Sequence, residues 1–241
     1  MLPLLAGILL AVAWPFVVRP APVLNEDAAY PGAAATATWS PEQGVLRVQP
    51  QSGTARTLLV IYPGGLVAPQ AYQWLGTALA PHGIETLIVR FPLDLAVTGI
   101  RRADRVIGQY GQGRPVYMAG HSLGGAMAAQ YLGDARTDGQ VQGLILMGAY
   151  PPAKVQLQTR RDLRVLSLWA EHDRVANAAQ YQGGFGRLPP GTKQVTVQGA
   201  VHAFFGRYGP QAGDGQPTVA RVQAEAQIVR AVLDFLTGDM P

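Results

Sequence analysis

The string that most constrains this chain is Gly120-His121-Ser122-Leu123-Gly124-Gly125. An apolar run, Val116 to Ala119, leads into it, and a helical pattern of small residues, Ala126 to Leu132, follows it. A G-x-S-x-G string set between a strand and a helix is the context in which a sharp turn holds a serine hydroxyl out at the strand's end. At Gly120 and Gly124 a Cβ would press on neighbouring backbone, and glycine also accepts strained dihedrals in such a turn. The same string arises by chance as a glycine-rich helix entry that merely packs closely, so the rest of the chain decides its meaning.

With 241 residues the chain is long enough for one substantial core. Val45 to Val48 alternates and suggests an edge strand, and Thr57 to Tyr62 is a continuous apolar run typical of a buried one. Further strands are expected at Thr86 to Phe91, Val116 to Ala119, Leu144 to Met147, Val165 to Trp169 and Lys193 to Val197. Helical patterns occupy Pro69 to Leu79, Arg101 to Tyr110 and Ala126 to Leu132. A last one, Val219 to Leu236, lines up Val222, Ala226, Val229, Val232, Leu233 and Leu236 on one face. Strands alternating with helices imply an α/β domain whose mostly parallel sheet is covered on both faces.

Leu2 to Val18 is almost unbroken apolar sequence followed by Arg19-Pro20, near the lower limit of roughly 17 residues for a membrane span. Residues 1–19 therefore read as a membrane anchor or, alternatively, a cleaved signal segment. No Lys or Arg precedes the run, which argues against cleavage. Residues 20–43, rich in Ala, Pro and Thr, read as a linker, and 44–241 as the catalytic domain. An extracytoplasmic domain is expected, although Arg19 pulls the orientation the other way. Net charge is +4 with scattered basic residues, which speaks against nucleic acid and allows mild attraction to anionic lipid. With no cysteine, disulfides, thiolate chemistry and Cys-ligated metals are excluded, and no His-rich cluster suggests a metal; no cofactor is expected.

A serine at such a turn needs a base to take its proton and an acid to orient the base. The chain has four histidines. His82 sits in a Pro-His-Gly turn, His121 adjoins the serine with packing as its better reading, and His172 precedes Asp173 as a rim residue. His202 follows the last strand, where a loop at the carboxyl edge of the sheet would carry a base over Ser122. Asp173, after the preceding strand, lies at the same edge and can reach the far nitrogen of that base. Glu171 is the rival acid and Asp94 a more distant one.

The order Ser122, Asp173, His202 resembles that of the α/β-hydrolase superfamily over roughly Val45 to Leu236. The resemblance extends to small bacterial hydrolases with an N-terminal membrane segment, through Tyr62-Pro63-Gly64-Gly65 and the Gly120 to Gly125 elbow. It implies an oxyanion hole from the backbone N–H groups of Leu123 and Gly65. Pro63 stands where the family commonly has His, which leaves Leu66 as the alternative second donor. It also implies an open entrance, because the segment between the strands at Leu144 and Val165 is too short for a cap domain. The long loop from Ala203 to Thr218 carries Phe204, Phe205 and Tyr208, expected either to wall an acyl or leaving-group pocket or only to pin the loop to the core. Leu66 and His121 complete the expected substrate-facing set. The expected activity is a serine hydrolase for carboxylic esters, small or lipid-like, held at a membrane. Acyltransferase, thioesterase and peptidase chemistry on the same triad, or a non-catalytic tethered binding module, are the alternatives; the oligomeric state is not readable.

Overall fold

The computed structural model describes residue 23 and residues 34–238, apart from 112, 135, 136 and 138. The expected anchor, residues 1–19, lies outside them. Among the described residues no helix is long and apolar enough to cross a membrane.

Eight strands form one sheet: β1 (Ala35–Ser40), β2 (Val45–Pro50), β3 (Thr57–Tyr62), β4 (Ile84–Val89), β5 (Val116–His121), β6 (Gly143–Met147), β7 (Arg164–Ala170) and β8 (Lys193–Val197). Their order across the sheet is β1-β2-β4-β3-β5-β6-β7-β8. β1, β2 and β4 pair antiparallel, and every pair from β4 to β8 is parallel. The chain runs outward from β3 to β4 and then crosses back to place β5 on the other side of β3. Such a reversal opens a crevice at the carboxyl ends of the two strands, where open α/β sheets bind ligands. Register keeps the carboxyl ends level, with Tyr62 opposite Gly120, His121 opposite Met147, and Ala170 opposite Val197.

Among the described residues five α-helices flank the sheet: α1 (Gln73–Leu79), α2 (Arg102–Tyr110), α3 (Leu123–Leu132), α4 (Ala178–Phe185) and α5 (Arg221–Thr237). Because successive strand residues point to opposite faces, β3 splits its apolar run between two cores. Leu59 and Ile61 pack with Trp74 and Leu75 of α1 and Ile228 and Val232 of α5. Leu58, Val60 and Tyr62 pack with Val106 of α2 and Met127 and Leu132 of α3. Full burial of each such side chain contributes about 1.5–3 kcal/mol, which is why a double-sided strand needs a continuous apolar sequence.

Two expectations need correction. The stretch expected as linker ends in β1, so β2 is an interior strand rather than the edge. Ala35 to Ser40 is too small and too exposed to show the usual apolar alternation, and it forms a strand by pairing with β2 and by placing Trp39 beneath the Arg90 guanidinium, 5.8 Å from the ring centre. Helix α4 was not expected, since its Gly183-Gly184 pair gives no helical signal. It is started by Asn177, whose side chain accepts from the Gln180 N–H at 2.9 Å. The segment joining β6 to β7, residues 148–163, holds no helix or strand, in keeping with the absence of an inserted cap.

Candidate active site

The turn after β5 is built by close approach. A Cβ on Gly120 would lie 2.5 Å from the backbone of Gly125, and one on Gly124 would lie 2.2 Å from the carbonyl oxygens of Tyr62 and Pro63. Dihedral strain, however, falls on the serine and not on these glycines: Ser122 has φ 52° and ψ −123°, and its N–H donates to the Met147 carbonyl at 3.0 Å. A non-glycine residue held there costs of order 1–3 kcal/mol, and its surroundings over-determine it because α3 begins at the next residue.

Asp173 and His202 meet at the same edge. Asp173 Oδ2 lies 2.7 Å from His202 Nδ1, and both side chains are fully buried. A carboxylate accepts, so Nδ1 carries the proton and Nε2 is left as the basic nitrogen. Nε2 is buried without a hydrogen-bond partner among the described residues. The other carboxylate oxygen, Oδ1, accepts from the N–H groups of Val175 and Ala176, both at 2.9 Å. Gly148, the residue after β6, connects the two halves. A Cβ there would lie 3.0 Å from His202 Nδ1 and 3.1 Å from Asp173 Oδ2, and its φ of +53° suits glycine in any case. Sequence reasoning passed over Gly148; its signal was a glycine directly after a buried strand at the edge that carries the other groups.

The rival groups are elsewhere. Glu171 Oε2 accepts from the Gly199 N–H at 2.7 Å, and His172 Nε2 lies 3.3 Å from Thr218 Oγ1. His82 is exposed, and Asp94 sits beside Arg90 on the far side of the early turn. At that turn the Leu66 N–H already donates to the Asp94 carbonyl at 2.8 Å. The Gly65 N–H has no partner among the described residues, and a Cβ on Gly65 would lie 3.2 Å from Leu123 Cδ2. Leu123 opens α3, whose first N–H groups have no intrahelical acceptor. Gly65 and Leu123 thus present two N–H groups from adjoining turns.

His121 faces inward, as the packing interpretation expects, and does not border the cavity beside Ser122. Its ring lies 4.5 Å from that of His202, and its Nδ1 is 2.8 Å from the Tyr72 hydroxyl. That hydroxyl also accepts from the Gly64 N–H at 2.9 Å. Burial, and then the neighbouring His202, hold the His121 pKa well below the ordinary 6.5, while a backbone contact with His202 opposes them.

The loop aromatics lie away from the cavity beside Ser122; Phe204 and Tyr208 instead help line a second cavity of about 290 Å3, with Val201, Gln211 and Arg221. Phe205 and Tyr208 are buried in the α1/α5 core, and Phe204 lies under the Arg221 guanidinium, 4.5 Å from the ring centre. They pin the loop, because a run this long with little regular hydrogen bonding needs apolar anchors to stay folded. The cavity beside Ser122 has a volume of about 240 Å3 and is lined by Leu123, Ala126, Gly148, Ala149, Tyr150, Val175 and Ala176. Tyr150 is fixed from α4, its hydroxyl donating to Gln180 Oε1 at 2.7 Å. A separate cavity at the opposite end of the sheet is lined by Arg47, Glu85 and Arg114, which are spent on one another through Arg47–Glu85 and Arg114–Glu85 pairs at 2.5 and 2.8 Å.

Residues 58–226 match the profile of the alpha/beta hydrolase family, more than half of the chain. The chain belongs to that family. Among solved structures, this α/β hydrolase is similar to one described as a predicted CIB-like hydrolase from Thermoplasma acidophilum. The TM-score is 0.60 at 15% identity, over 85% of this chain and 99% of that one, a likeness of fold alone. No curated protein matches the hydrolase.

Proposed function

We propose that the protein is a serine hydrolase that cleaves carboxylic esters with a short acyl group. The observation that carries this is the strained Ser122 at the carboxyl edge of the sheet, together with a buried Asp173–His202 pair at 2.7 Å whose Nε2 is unpartnered among the described residues. Ser122 Oγ attacks the ester carbonyl carbon as His202 Nε2 takes its proton. The resulting oxyanion is stabilised by the N–H groups of Gly65 and Leu123, each such donor contributing about 2.7–4 kcal/mol to barrier lowering. Collapse breaks the bond to the alkoxide, which leaves with the proton from His202. Water then attacks the acyl-enzyme, gives its proton to His202, and releases the acid and Ser122. Asp173 stays ionised and holds the imidazole.

The size of the acyl group follows from the cavity. At about 240 Å3 it exceeds the roughly 150 Å3 void that admits benzene and falls below the roughly 300 Å3 at which drug-sized ligand pockets begin. None of its lining side chains is charged, so an uncharged chain of a few carbons suits it. Attachment to a membrane through residues 1–19, with the domain on the extracytoplasmic side, is part of the proposal and is supported by the apolar run alone.

Labelling with a fluorophosphonate probe tests the reading. The native chain is expected to label at Ser122 and Ser122→Ala to remain unlabelled. An unlabelled native chain, or equal labelling of both, overturns it. In the same preparation, turnover of nitrophenyl esters should fall from butyrate to dodecanoate.

A further inference from the structure

The loop from Ala203 to Thr218 does not border the cavity beside Ser122 but lines one of its own, and it is held in place by several side-chain bonds. Arg207 makes a bidentate pair with Glu225 of α5, both bonds at 2.8 Å and both side chains buried. Arg221 donates to the carbonyls of Ala203 and Gly206 at 3.0 and 2.5 Å, and the Tyr208 hydroxyl donates to Gln211 Oε1 at 2.7 Å. The Arg207 N–H reaches the Ala71 carbonyl at 2.7 Å. These contacts fix the course of the loop so that Asp214 and Gly215 return to the start of it.

There the Asp214 carboxylate accepts three main-chain N–H groups. Oδ1 takes those of His202 at 3.1 Å and Gly215 at 2.8 Å, and Oδ2 takes that of Ala203 at 2.9 Å. Two of the three belong to the peptide units that carry the His202 ring. Gly215 presses on the other side of the pair: a Cβ there would lie 1.9 Å from the carbonyl oxygen of His172, the neighbour of Asp173. The Thr218 N–H closes the loop on the Gly199 carbonyl at 2.9 Å.

We propose that Asp214 is a positioning residue for His202, and that the 203–218 loop sets the base against Asp173. The inference rests on the hydrolase reading. An imidazole that must accept a proton from Ser122 and return it to a leaving group tolerates little displacement, and an error of about 1 Å in such a site costs on the order of 10²-fold in rate. Its backbone lies in an irregular turn, the short 3-10 segment His202–Phe205, with no strand to hold it. A charged acceptor on two consecutive N–H groups supplies that restraint, charge-assisted bonds being roughly twice as strong as neutral ones.

The test compares Asp214→Ala, Asp214→Asn and Gln211→Ala with the native chain by ester kinetics, fluorophosphonate labelling rate, thermal unfolding and the low-field proton resonance of the His202 Nδ1–H. Asp214→Ala is expected to lower kcat and the labelling rate by about 10²-fold with KM nearly unchanged, and to shift or broaden that resonance. Asp214→Asn retains an acceptor for His202 and should fall between native and Asp214→Ala. Gln211→Ala loosens the loop away from His202 and should stay within about twofold of native. If Asp214→Ala does not fold, Asp214→Asn decides: a lowered kcat with an altered resonance supports the role. Folded Asp214 variants with native kcat and native resonance, or a loss equal to that of Gln211→Ala, overturn it while leaving the hydrolase reading intact. Failure of the native chain to label overturns both.

Discussion

The two halves of the proposed site are built by opposite means. On the nucleophile side, position comes from what is missing: Gly120 and Gly124 let backbone segments touch, and no side-chain cap helps start the helix behind Ser122. On the acid–base side, position comes from carboxylates that accept main-chain N–H groups: Asp173 from Val175 and Ala176, Asp214 from His202 and Ala203. The first half is a tight turn on rigid elements and is made mainly by glycine. The second joins two loops that leave different strands, and only hydrogen bonds can bring them into register.

The largest expected effect probes the acid–base half. Asp173→Asn should cut kcat by about 10⁴-fold, because the amide nitrogen facing Nδ1 selects the wrong imidazole tautomer. Folding should change little, since the amide oxygen can still accept from Val175 and Ala176. Glu171→Gln should leave kcat within a few-fold of native, and the reverse ranking in a steady-state assay would reassign the acid.

Next comes a break on the nucleophile side. Gly124→Ala drives a methyl into two carbonyl oxygens, each 2.2 Å from the new Cβ. A loss beyond about 4 kcal/mol in denaturant unfolding is expected, the scale reserved for overpacking or strain at a special position. A soluble, cooperatively unfolding Gly124→Ala would show that the elbow is less tight than its contacts indicate.

A smaller effect tests the one place where the nucleophile half does use a side chain. Tyr72 ties the Gly64 N–H to His121 Nδ1, joining the turns after β3 and β5. Tyr72→Phe leaves both groups buried and unsatisfied, a cost of about 1–3 kcal/mol. It should also lower kcat more than it raises KM, by displacing Gly65. Unchanged turnover with lowered stability would confine Tyr72 to packing.

The smallest is a pH effect. His121 is held neutral in the fold by burial, whereas the unfolded chain protonates it near its ordinary 6.5. Below that value the unfolded state binds the extra proton, so this contribution to stability is present above it and is lost as pH falls, by up to about 1.4 kcal/mol per unit. Urea unfolding between pH 7.5 and 5 should show the slope, and His121→Gln should flatten it. Equal slopes in both proteins would remove His121 as the cause.

These contrasts also explain what could be read in the chain. β3, β5, β6 and β7 were legible because double-sided burial leaves unbroken apolar runs, and the placement of Ser122, Asp173 and His202 at one edge of the sheet because each follows a strand. β1 and α4 were hidden because pairing and a single Asn cap hold them, without apolar periodicity. That the Leu66 N–H is bonded to the Asp94 carbonyl is a contact that no sequence pattern encodes. Where the loop aromatics would lie was not legible, because an aromatic in a long loop looks the same whether it borders a cavity, as Phe204 and Tyr208 do, or meets core alone, as Phe205 does.

Asp173 has a second consequence. Its Oδ1 holds the backbone of Val175 and Ala176, two walls of the cavity beside Ser122, while its Oδ2 holds the His202 ring. On the proposed reading, substrate range can therefore drift through the side chains at these two positions at little cost to chemistry. Insertions or deletions between residues 173 and 176 would move pocket and catalyst together. Divergent evolution of this enzyme is thus channelled into exchanges of side-chain size, with the length of that turn held constant.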